Sequence, residues 1–516
     1  MKKQIELAFT PEQFFHSENQ KNIISKVLHV DLNDITGIRL VRRSLDARKQ
    51  KIVYRCQYDV FISELPEQNK FDIPFKNVTQ SPVVIIAGAG PAGLFAALKC
   101  IELGMKPVII ERGKSVHDRR YDITNIHRER LINPDSNYCF GEGGAGTFSD
   151  GKLYTRSTKR GDVNRILQLF YMHGASAEIL YDSHPHIGTD KLPPIIAAIR
   201  QTIEEYGGMF HFENRIVDIK IKDNSFESVV TSKGNEYHGK ALILATGHSA
   251  RDIFYLLERK KIFIEPSSFA VGFRVEHPQQ IIDEIQYHQK SRGKYLPASA
   301  YSLAGQFGGK GVFSFCMCPG GTIVDSSTSQ DELVLNGMSN SRRNQPFANS
   351  GIVVTVNEND FKSYGEGALS GLQFQKMLEN IAFVAGGSNH FAPAQRMSDF
   401  CENKISSSFN TVSYRQGITS APLSEIFPKV IISSIQEAFT EFDKKMKGFY
   451  TNEATLFAVE SRTSSPVRIT RDAHTLEHIQ IKNLFPCGEG AGYAGGIVSS
   501  AIDGERVAEA VAKKIL

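Results

Sequence analysis

The segment from residue 82 to residue 113 constrains the fold more than any other part of the chain. It consists of an apolar run, glycines spaced as GxGxxG, a helical stretch and a second apolar run that ends at Glu111. This order is typical of a βαβ unit that binds a dinucleotide. In such a unit Gly88 makes the tight turn and Gly90 lets the backbone approach a pyrophosphate, while Gly93 allows the helix to pack closely on the strand.

The ends of this βαβ unit predict how it would hold a nucleotide. Pro91 and Ala92 begin the helix, whose free N–H groups are suited to bind phosphate. Glu111 follows Gly88 by 23 residues, at the expected end of the next strand. A carboxylate at that position can accept both ribose hydroxyls.

Composition indicates the class of protein. The chain has 516 residues, of which 41% are hydrophobic, so we expect several globular domains. A net charge of +4 argues against nucleic acid or an anionic membrane as the main partner. The first residues, MKKQIELAFT, lack the apolar core of a signal peptide, and the seven scattered cysteines suit reduced thiols. We therefore expect a cytoplasmic protein without a structural disulfide or a metal site.

The pattern along the chain predicts a mainly α/β protein in four parts. Residues 1–80 form a small α+β module and linker, with a helix near Pro11 to Leu28. Residues 81–266 form the first part of a Rossmann-like nucleotide-binding domain, which ends in a β-meander. Residues 267–460 form an inserted, β-rich substrate domain with a helix near Pro428 to Met446, and residues 461–516 complete the nucleotide-binding domain.

The last part of the chain indicates which dinucleotide is bound. A strand at Leu484 leads to Glu489, and glycines including Gly496 precede the final helix. The acid can hydrogen-bond a ribityl chain, and the positive helix N-terminus can face a flavin pyrimidine. Because a flavin needs such a second element beside its ring, we expect FAD rather than NAD as the tightly bound cofactor.

Several long blocks resemble the two-domain FAD oxidoreductases of the glutathione-reductase type, and in particular a bacterial family of uncharacterised FAD-dependent dehydrogenases. The resembling blocks are SLDARK (44–49), CFGEGGAGTFSDGKLYTR (139–156), LATGHSARD (244–252), FCMCPGG (315–321), ESRTSSPVRI (460–469) and GEGAGYAGGIVSSAIDG (488–504). The resemblance implies that the ADP half of FAD is bound or lined by Gly88, Gly90, Gly93, Glu111, Arg112, Ala245 and Gly247. It also implies that Glu489, Gly496 and Ile497 meet the ribityl chain and the flavin.

The stretch GEGGAGTFSDG at residues 141–151 is too rich in glycine for regular structure. It predicts a loop whose backbone approaches the pyrophosphate and the flavin, so Gly144, Gly146 and Thr147 are further candidate cofactor residues. Glu142 and Lys152 flank the loop, either as a functional pair or as a solvated one.

Candidate catalytic residues are harder to find, and we assign none. Cys316 and Cys318 could exchange electrons with a flavin, but a disulfide across one intervening residue is strained, so we expect two structural thiols and FAD as the only electron store. His184, His186 and His248 could donate protons, although structural roles are favoured.

These features predict an FAD-dependent oxidoreductase that transfers hydride between bound FAD and an unidentified small molecule, with NAD(P)H as a possible transient partner. The alternative is a flavin-binding RNA-modification or interaction protein that uses a basic N-terminal cluster. This cluster comprises Arg39, Arg42, Arg43, Arg48, Lys49 and Lys51. Few aromatic residues accompany it, which favours a solvated or domain-docking surface.

Overall fold

A computed structural model describes residues 1–49, 51–66, 71–155 and 160–516. Part of the predicted linker and Arg156, the last residue of one resembling block, lie outside these ranges. The fold is mixed α/β, with one parallel sheet, several antiparallel sheets and one sheet that is mainly antiparallel. Within the described ranges, no helix combines the length and the apolar character that a membrane span requires.

The N-terminal module is a three-stranded antiparallel sheet covered by two helices. Its elements are β1 (Lys2–Phe9), α1 (Pro11–Phe15), α2 (Ser17–Leu28), β2 (Ile35–Asp46) and β3 (Val53–Ile62), with strand order β1-β3-β2. The helix predicted from residue 11 to residue 28 is present but divided, because His16 has extended backbone. The strand β1 was not predicted.

The nucleotide unit begins directly after the linker, where the glycine motif predicts it. Its elements are β4 (Val83–Ala87), α3 (Pro91–Leu103), β5 (Lys106–Ile110), α4 (Arg119–Glu129), α5 (Val163–Met172), α6 (Leu192–Glu205) and β6 (Met209–His211). Gly104 ends α3 in the left-handed conformation.

The predicted meander follows as a three-stranded antiparallel sheet, and the chain then re-enters the parallel sheet. The elements are β7 (Ile216–Lys222), β8 (Ser225–Thr231), β9 (Glu236–His238), β10 (Ala241–Leu244) and α7 (Arg251–Arg259). Asp223 and Asn224 both have positive φ, as a two-residue hairpin turn requires.

A seven-stranded sheet with order β13-β14-β17-β12-β20-β18-β19 dominates the next 200 residues. The elements are β11 (Ile264–Pro266), β12 (Phe269–Pro278), α8 (Gln279–Tyr287), β13 (Ala304–Phe307), β14 (Lys310–Cys318), β15 (Gly321–Asp325), β16 (Leu335–Ser339), β17 (Phe347–Val356), α9 (Glu358–Phe361), α10 (Ser370–Ala385), β18 (Ala392–Arg396), α11 (Met397–Cys401), β19 (Ile418–Ser420), α12 (Lys429–Lys445) and β20 (Thr455–Glu460). The helix α12 confirms the helix predicted near residues 428–446.

The last residues return to the parallel sheet. The elements are β21 (Val467–Ile469), β22 (Leu484–Pro486) and α13 (Ile497–Ile515). β22 pairs in parallel with β10, which gives a five-stranded sheet of order β22-β10-β4-β5-β6. α13 packs so closely on α3 that a Cβ at Gly504 would lie 2.1 Å from the Ala92 carbonyl oxygen. The two ends of the nucleotide unit therefore share one core.

Candidate functional site

A cavity lies at the carboxyl ends of the parallel strands. Ala87, Glu111, Ala245 and Cys487 line it at or just after the ends of β4, β5, β10 and β22. Because α3 leads from β4 to β5 on one side while β10 lies on the other, the strand order reverses at β4, and ligands of open α/β sheets bind at such a point. The cavity volume of about 380 Å³ lies within the range of small-molecule sites.

Glycines shape the turn between β4 and α3. Gly88 has a φ of 101°, and a Cβ there would lie 2.5 Å from the Ala245 carbonyl oxygen. A Cβ at Gly93 would lie 2.0 Å from the Gly88 carbonyl oxygen. At Gly90 the nearest atom to a Cβ is the Gly144 Cα, 3.9 Å away. Gly88 and Gly93 therefore allow close packing of the backbone at this turn. Gly90 instead leaves space open in the cavity beside the N-terminus of α3.

Glu111 and Arg112 both line the cavity, but both are also held by the protein. The Glu111 carboxylate accepts hydrogen bonds from the backbone amides of Ala89 at 2.8 Å, Gly113 at 2.9 Å and Gly141 at 3.0 Å. This carboxylate thus fixes the glycine turn and the glycine-rich loop, and its binding of ribose stays a prediction.

The Arg112 guanidinium is held by two carboxylates and one ring. It lies 2.7 Å from Asp135 and 2.8 Å from Asp252, and it stacks 4.0 Å from the Phe140 ring centre. The arginine therefore presents a fixed plane at the edge of the cavity.

The glycine-rich loop is held by a buried arginine that the sequence reading missed. Arg119, on α4, is fully buried and donates to the carbonyl oxygens of Asn137 at 2.7 Å, Tyr138 at 2.9 Å, Glu142 at 3.0 Å and Gly144 at 2.9 Å. Burial lowers the pKa of its guanidinium to about 10, so the side chain remains charged at neutral pH. One charged group therefore holds four backbone carbonyl oxygens in place.

The predicted loop residues divide between the cavity and the interior. Gly144 and Gly146 line the cavity. Thr147 does not, because its hydroxyl donates to the Glu142 carbonyl oxygen at 3.0 Å. The Glu142 carboxylate is buried, with Arg200 at 2.8 Å. The idea of a pair between Glu142 and Lys152 is therefore wrong, since each has other partners.

The return segment forms another part of the cavity wall. Glu489, Gly496 and Ile497 line it, and α13 begins there with its N-terminus. Arg471 fixes this segment, because its guanidinium lies 2.6 Å from Asp503 of α13 and donates to the Pro486 carbonyl at 2.8 Å. The N-terminus of α13 adds partial positive charge at the cavity.

The remaining wall comes from the large antiparallel domain and from Lys152. Phe315, Cys316, Asn336 and Arg462 line it. Arg462 is nearly buried between Glu332, at 2.6 Å, and Glu379, at 2.9 Å. These partners are 130 and 83 residues away in sequence, so neither spacing nor periodicity could indicate that Arg462, Glu332 and Glu379 lie together.

The three candidate histidines are separated. Only His248 lines the cavity, where burial and the charges of Arg462 and Arg251 lower its pKa to about 4. The His184 ring packs against Tyr154, and His186 contacts the Ser341 carbonyl oxygen at 3.2 Å. A neutral His248 is therefore a poor proton donor at neutral pH.

Most predicted cofactor residues meet at this one cavity. Those that line it are Gly88, Gly90, Pro91, Ala92, Glu111, Arg112, Gly144, Gly146, Ala245, Gly247, Glu489, Gly496 and Ile497. Gly93 and Thr147 lie behind it. A Cβ would meet no atom within 4 Å at Gly247, Gly495 or Gly496, so the backbone leaves space for a ligand along the cavity. An elongated dinucleotide with a phosphate centre fits this glycine-lined cradle.

In the described part of the chain, no three His, Cys, Asp or Glu side chains are grouped to hold a metal ion.

Replacing Glu489 with glutamine is expected to reduce the pH dependence of stability in the flavin-free protein. Burial, followed by the nearby Cys316, raises the pKa of the Glu489 carboxyl to about 7. Above the pKa of 4.5 of an ordinary glutamate and below about 7, the folded state therefore keeps the Glu489 proton that the unfolded chain has already released. The free energy of unfolding falls as the pH rises through this range. The glutamine variant avoids this penalty, and its free energy of unfolding should exceed the parent's by about 1–3 kcal/mol near pH 8 and by much less near pH 5.

Urea unfolding at both pH values would measure this difference. The exposed Glu437 provides the control, and Glu437→Gln should leave the free energy of unfolding nearly unchanged at both. An equal effect of Glu489→Gln at the two pH values would contradict the assignment of a protonated Glu489.

Comparisons with known proteins identify the family. Residues 268–463 match the family described as FAD-dependent protein, C-terminal domain-like, and residues 1–61 match a domain of unknown function, DUF8436. An uncharacterized protein of Clostridium beijerinckii is 39% identical over 511 residues, which cover 95% of each chain.

Two solved flavoprotein structures show a weak likeness to the chain. CtdE in complex with FAD is 11% identical, with 84% of each chain covered and a TM-score of 0.32. The open conformation of a flavocytochrome c3 fumarate reductase is 12% identical, with 87% of this chain and 83% of that chain covered and a TM-score of 0.36. The match to the clostridial protein, 39% identical over 511 residues, shows the family. The chain belongs to one family with the clostridial protein, carries the C-terminal domain of the FAD-dependent proteins, and has FAD as its cofactor.

Proposed function

We propose that the protein is an FAD-dependent oxidoreductase that transfers hydride between bound FAD and a small-molecule substrate. The observation that carries this proposal is the single cavity that joins the glycine turn after β4, the glycine-rich loop and the N-terminus of α13. Bound FAD supplies two-electron hydride-transfer chemistry, while the protein sets geometry and electrostatics.

The residues of the cavity have separate tasks in this proposal. Gly90 and the N-terminus of α3 would hold the pyrophosphate, and Arg119 keeps the glycine-rich loop in place against it. Lys152 and the N-terminus of α13 add positive charge at the flavin end. This charge would favour negative charge that develops on a ligand during reduction.

The wall that carries Phe315, Cys316 and Asn336 would face the substrate. It mixes a ring, a thiol and an amide with the cation of Lys152, and so offers apolar contact together with a few polar groups. Sites for small molecules have this composition.

We propose that NAD(P)H, if it acts as the electron donor, enters the same cavity only transiently. The large antiparallel domain, residues 267–460, contains no GxGxxG of its own in the sequence. A nicotinamide donor would therefore have to bind beside the flavin, with low affinity.

Anaerobic mixing with a panel of candidate donors tests the proposal. The panel contains NADH, NADPH, hydroxy acids, amino acids and dithiols, and bleaching of the flavin absorbance reports reduction. At least one class is expected to bleach the flavin within seconds and to form one equivalent of oxidised product. Failure of every class, with a flavin that dithionite still reduces, would contradict a hydride-transfer function.

A further inference from the structure

Two cysteines from one strand and the lysine that follows the glycine-rich loop form a cluster at the cavity wall. The Lys152 ammonium lies 3.9 Å from the Cys316 sulfur and 3.7 Å from the Cys318 sulfur. The Cys318 thiol donates a hydrogen bond to the Cys316 carbonyl oxygen at 3.3 Å. The two thiols and the lysine are separated by more than 160 residues in sequence and meet only in the fold.

The two sulfurs differ in access. Cys316 is half-buried and lines the cavity, whereas Cys318 is fully buried behind it. An attacking thiol needs access to its substrate, and a second thiol that completes an exchange needs only to reach the first sulfur. Cys316 meets the first requirement, and Cys318 is placed for the second.

The backbone departs from a regular strand at this point. The pairing of β14 with β17 shifts register between Phe315 and Cys318, and Cys316 has a φ of 44°. A left-handed backbone costs a residue other than glycine about 1–2 kcal/mol, and such outliers cluster at functional sites.

We propose that Cys316 and Cys318 form a dithiol site that reduces a small disulfide entering the cavity, with Cys316 as the attacking thiolate and Cys318 as the resolving thiol. The proposal deepens the proposed function, because the two share one cavity. It replaces the expectation of two structural thiols. A disulfide is the substrate class because a simple electrophile would require only one thiol.

The exchange balances without another reactant. The Cys316 thiolate attacks one sulfur of the substrate, whose S–S bond breaks, and the first half leaves as a thiolate. Cys318 then loses its proton to solvent and attacks the Cys316 sulfur, so the second half leaves. The two cysteines lose two electrons and form one disulfide, and the substrate gains these electrons as two thiolates, which take up protons from solvent.

The local charges support a thiolate at Cys316. The neighbouring Cys318 side chain, with the charges of Lys152 and Arg274, lowers the pKa of the Cys316 thiol well below its usual value despite burial and Asp150. By contrast, burial raises the pKa of Cys401, another half-buried cysteine, to about 12. The charged or titratable groups that face the two sulfurs are Lys152, Asp150, Arg274, Glu460 and Glu489.

The first test compares thiols within one molecule. The FAD-bound protein is treated with iodoacetamide near pH 7, and labelled peptides are quantified by mass spectrometry. Cys316 should react at least about tenfold faster than Cys401. Lys152→Met should slow Cys316 about tenfold, while the exposed control Lys376→Met should not. Equal rates at Cys316 and Cys401 would overturn the proposal.

The second test measures exchange with 5,5′-dithiobis(2-nitrobenzoate). The reduced protein should rapidly release two aryl thiols per chain and retain no adduct, with a disulfide between Cys316 and Cys318. Cys318→Ser should release one aryl thiol and retain the adduct, and Cys401→Ser should behave as the parent. Two separate adducts on Cys316 and Cys318 would overturn the resolving role.

Neither test depends on flavin turnover, so the two proposals can fail separately. Rapid thiol exchange in a protein whose flavin accepts electrons from no donor would refute the proposed function alone. Flavin reduction by a donor in a protein whose Cys316 is inert would refute the dithiol site alone.

Discussion

Replacing Gly90 with valine is expected to abolish FAD binding while the protein still folds. Gly90 has extended backbone, with a φ of −74° and a ψ of −178°, which valine adopts easily. A Cβ there would contact only the Gly144 Cα, at 3.9 Å, so the branched side chain would enter the cavity rather than strain the core. The FAD content of the purified protein should fall more than about tenfold, which corresponds to at least ~1.4 kcal/mol of binding free energy.

Absorbance after gel filtration measures the flavin content, and urea unfolding of the flavin-free proteins measures the fold. The free energy of unfolding should change by less than about 1 kcal/mol. Ala304→Val, on an exposed edge-strand position, is the control and should retain full flavin content. A Gly90→Val protein with a normal amount of FAD would show that the pyrophosphate does not lie at this turn.

Replacing Arg119 with methionine is expected to give the largest loss of stability. The side chain is fully buried and donates to four carbonyl oxygens, two in the glycine-rich loop and two just before it. Methionine leaves these acceptors without their donor, and we expect a loss of about 3–5 kcal/mol in the free energy of unfolding. The affinity for FAD should fall as well, since Gly144 and Gly146 of the same loop line the cavity.

The adjacent Arg120 provides a matched control because it is exposed on the same helix. Arg120→Met should change the free energy of unfolding by no more than about 0.5 kcal/mol. If the two variants unfold at the same urea concentration, Arg119 does not organise the loop.

Local signals in the sequence predicted the elements that build the nucleotide side of the cavity. The glycine spacing, the apolar runs and the final strand, turn and helix each depend on residues close together in the chain, and β4, α3, β5, β22 and α13 follow them. The meander was also predictable, because Asp223 and Asn224 suit a tight hairpin turn.

The buried side chains that fix the cavity walls could not be recognised from local sequence patterns. Arg119 stands in the charged stretch HDRRYD, where an arginine is normally solvent-exposed. Only the fold shows that one of two adjacent arginines points inward. The partners of Arg462 likewise come from distant segments, so neither periodicity nor spacing could reveal them.

Three arginines of the basic N-terminal cluster are paired with carboxylates of the same chain, which bears on whether the cluster binds RNA or docks a domain. Arg39 is paired with Asp59 at 2.6 Å, Arg43 with Asp182 at 2.6 Å, and Arg48 with Asp46 at 2.8 Å. The Arg43 backbone also joins the module to the nucleotide unit, because its amide donates to the Tyr181 carbonyl at 2.7 Å. These contacts support a docking role for part of the cluster. The assignment of partners stays a proposal.

A crystal structure of the protein with its co-purified cofactor tests the central claim most directly. We expect one FAD with its pyrophosphate against the turn at Gly88 to Gly90 and its isoalloxazine ring between the N-terminus of α13 and the wall that carries Lys152 and Cys316. An FAD bound outside this cavity, or bound in it with the adenine at the α13 end, would contradict this placement.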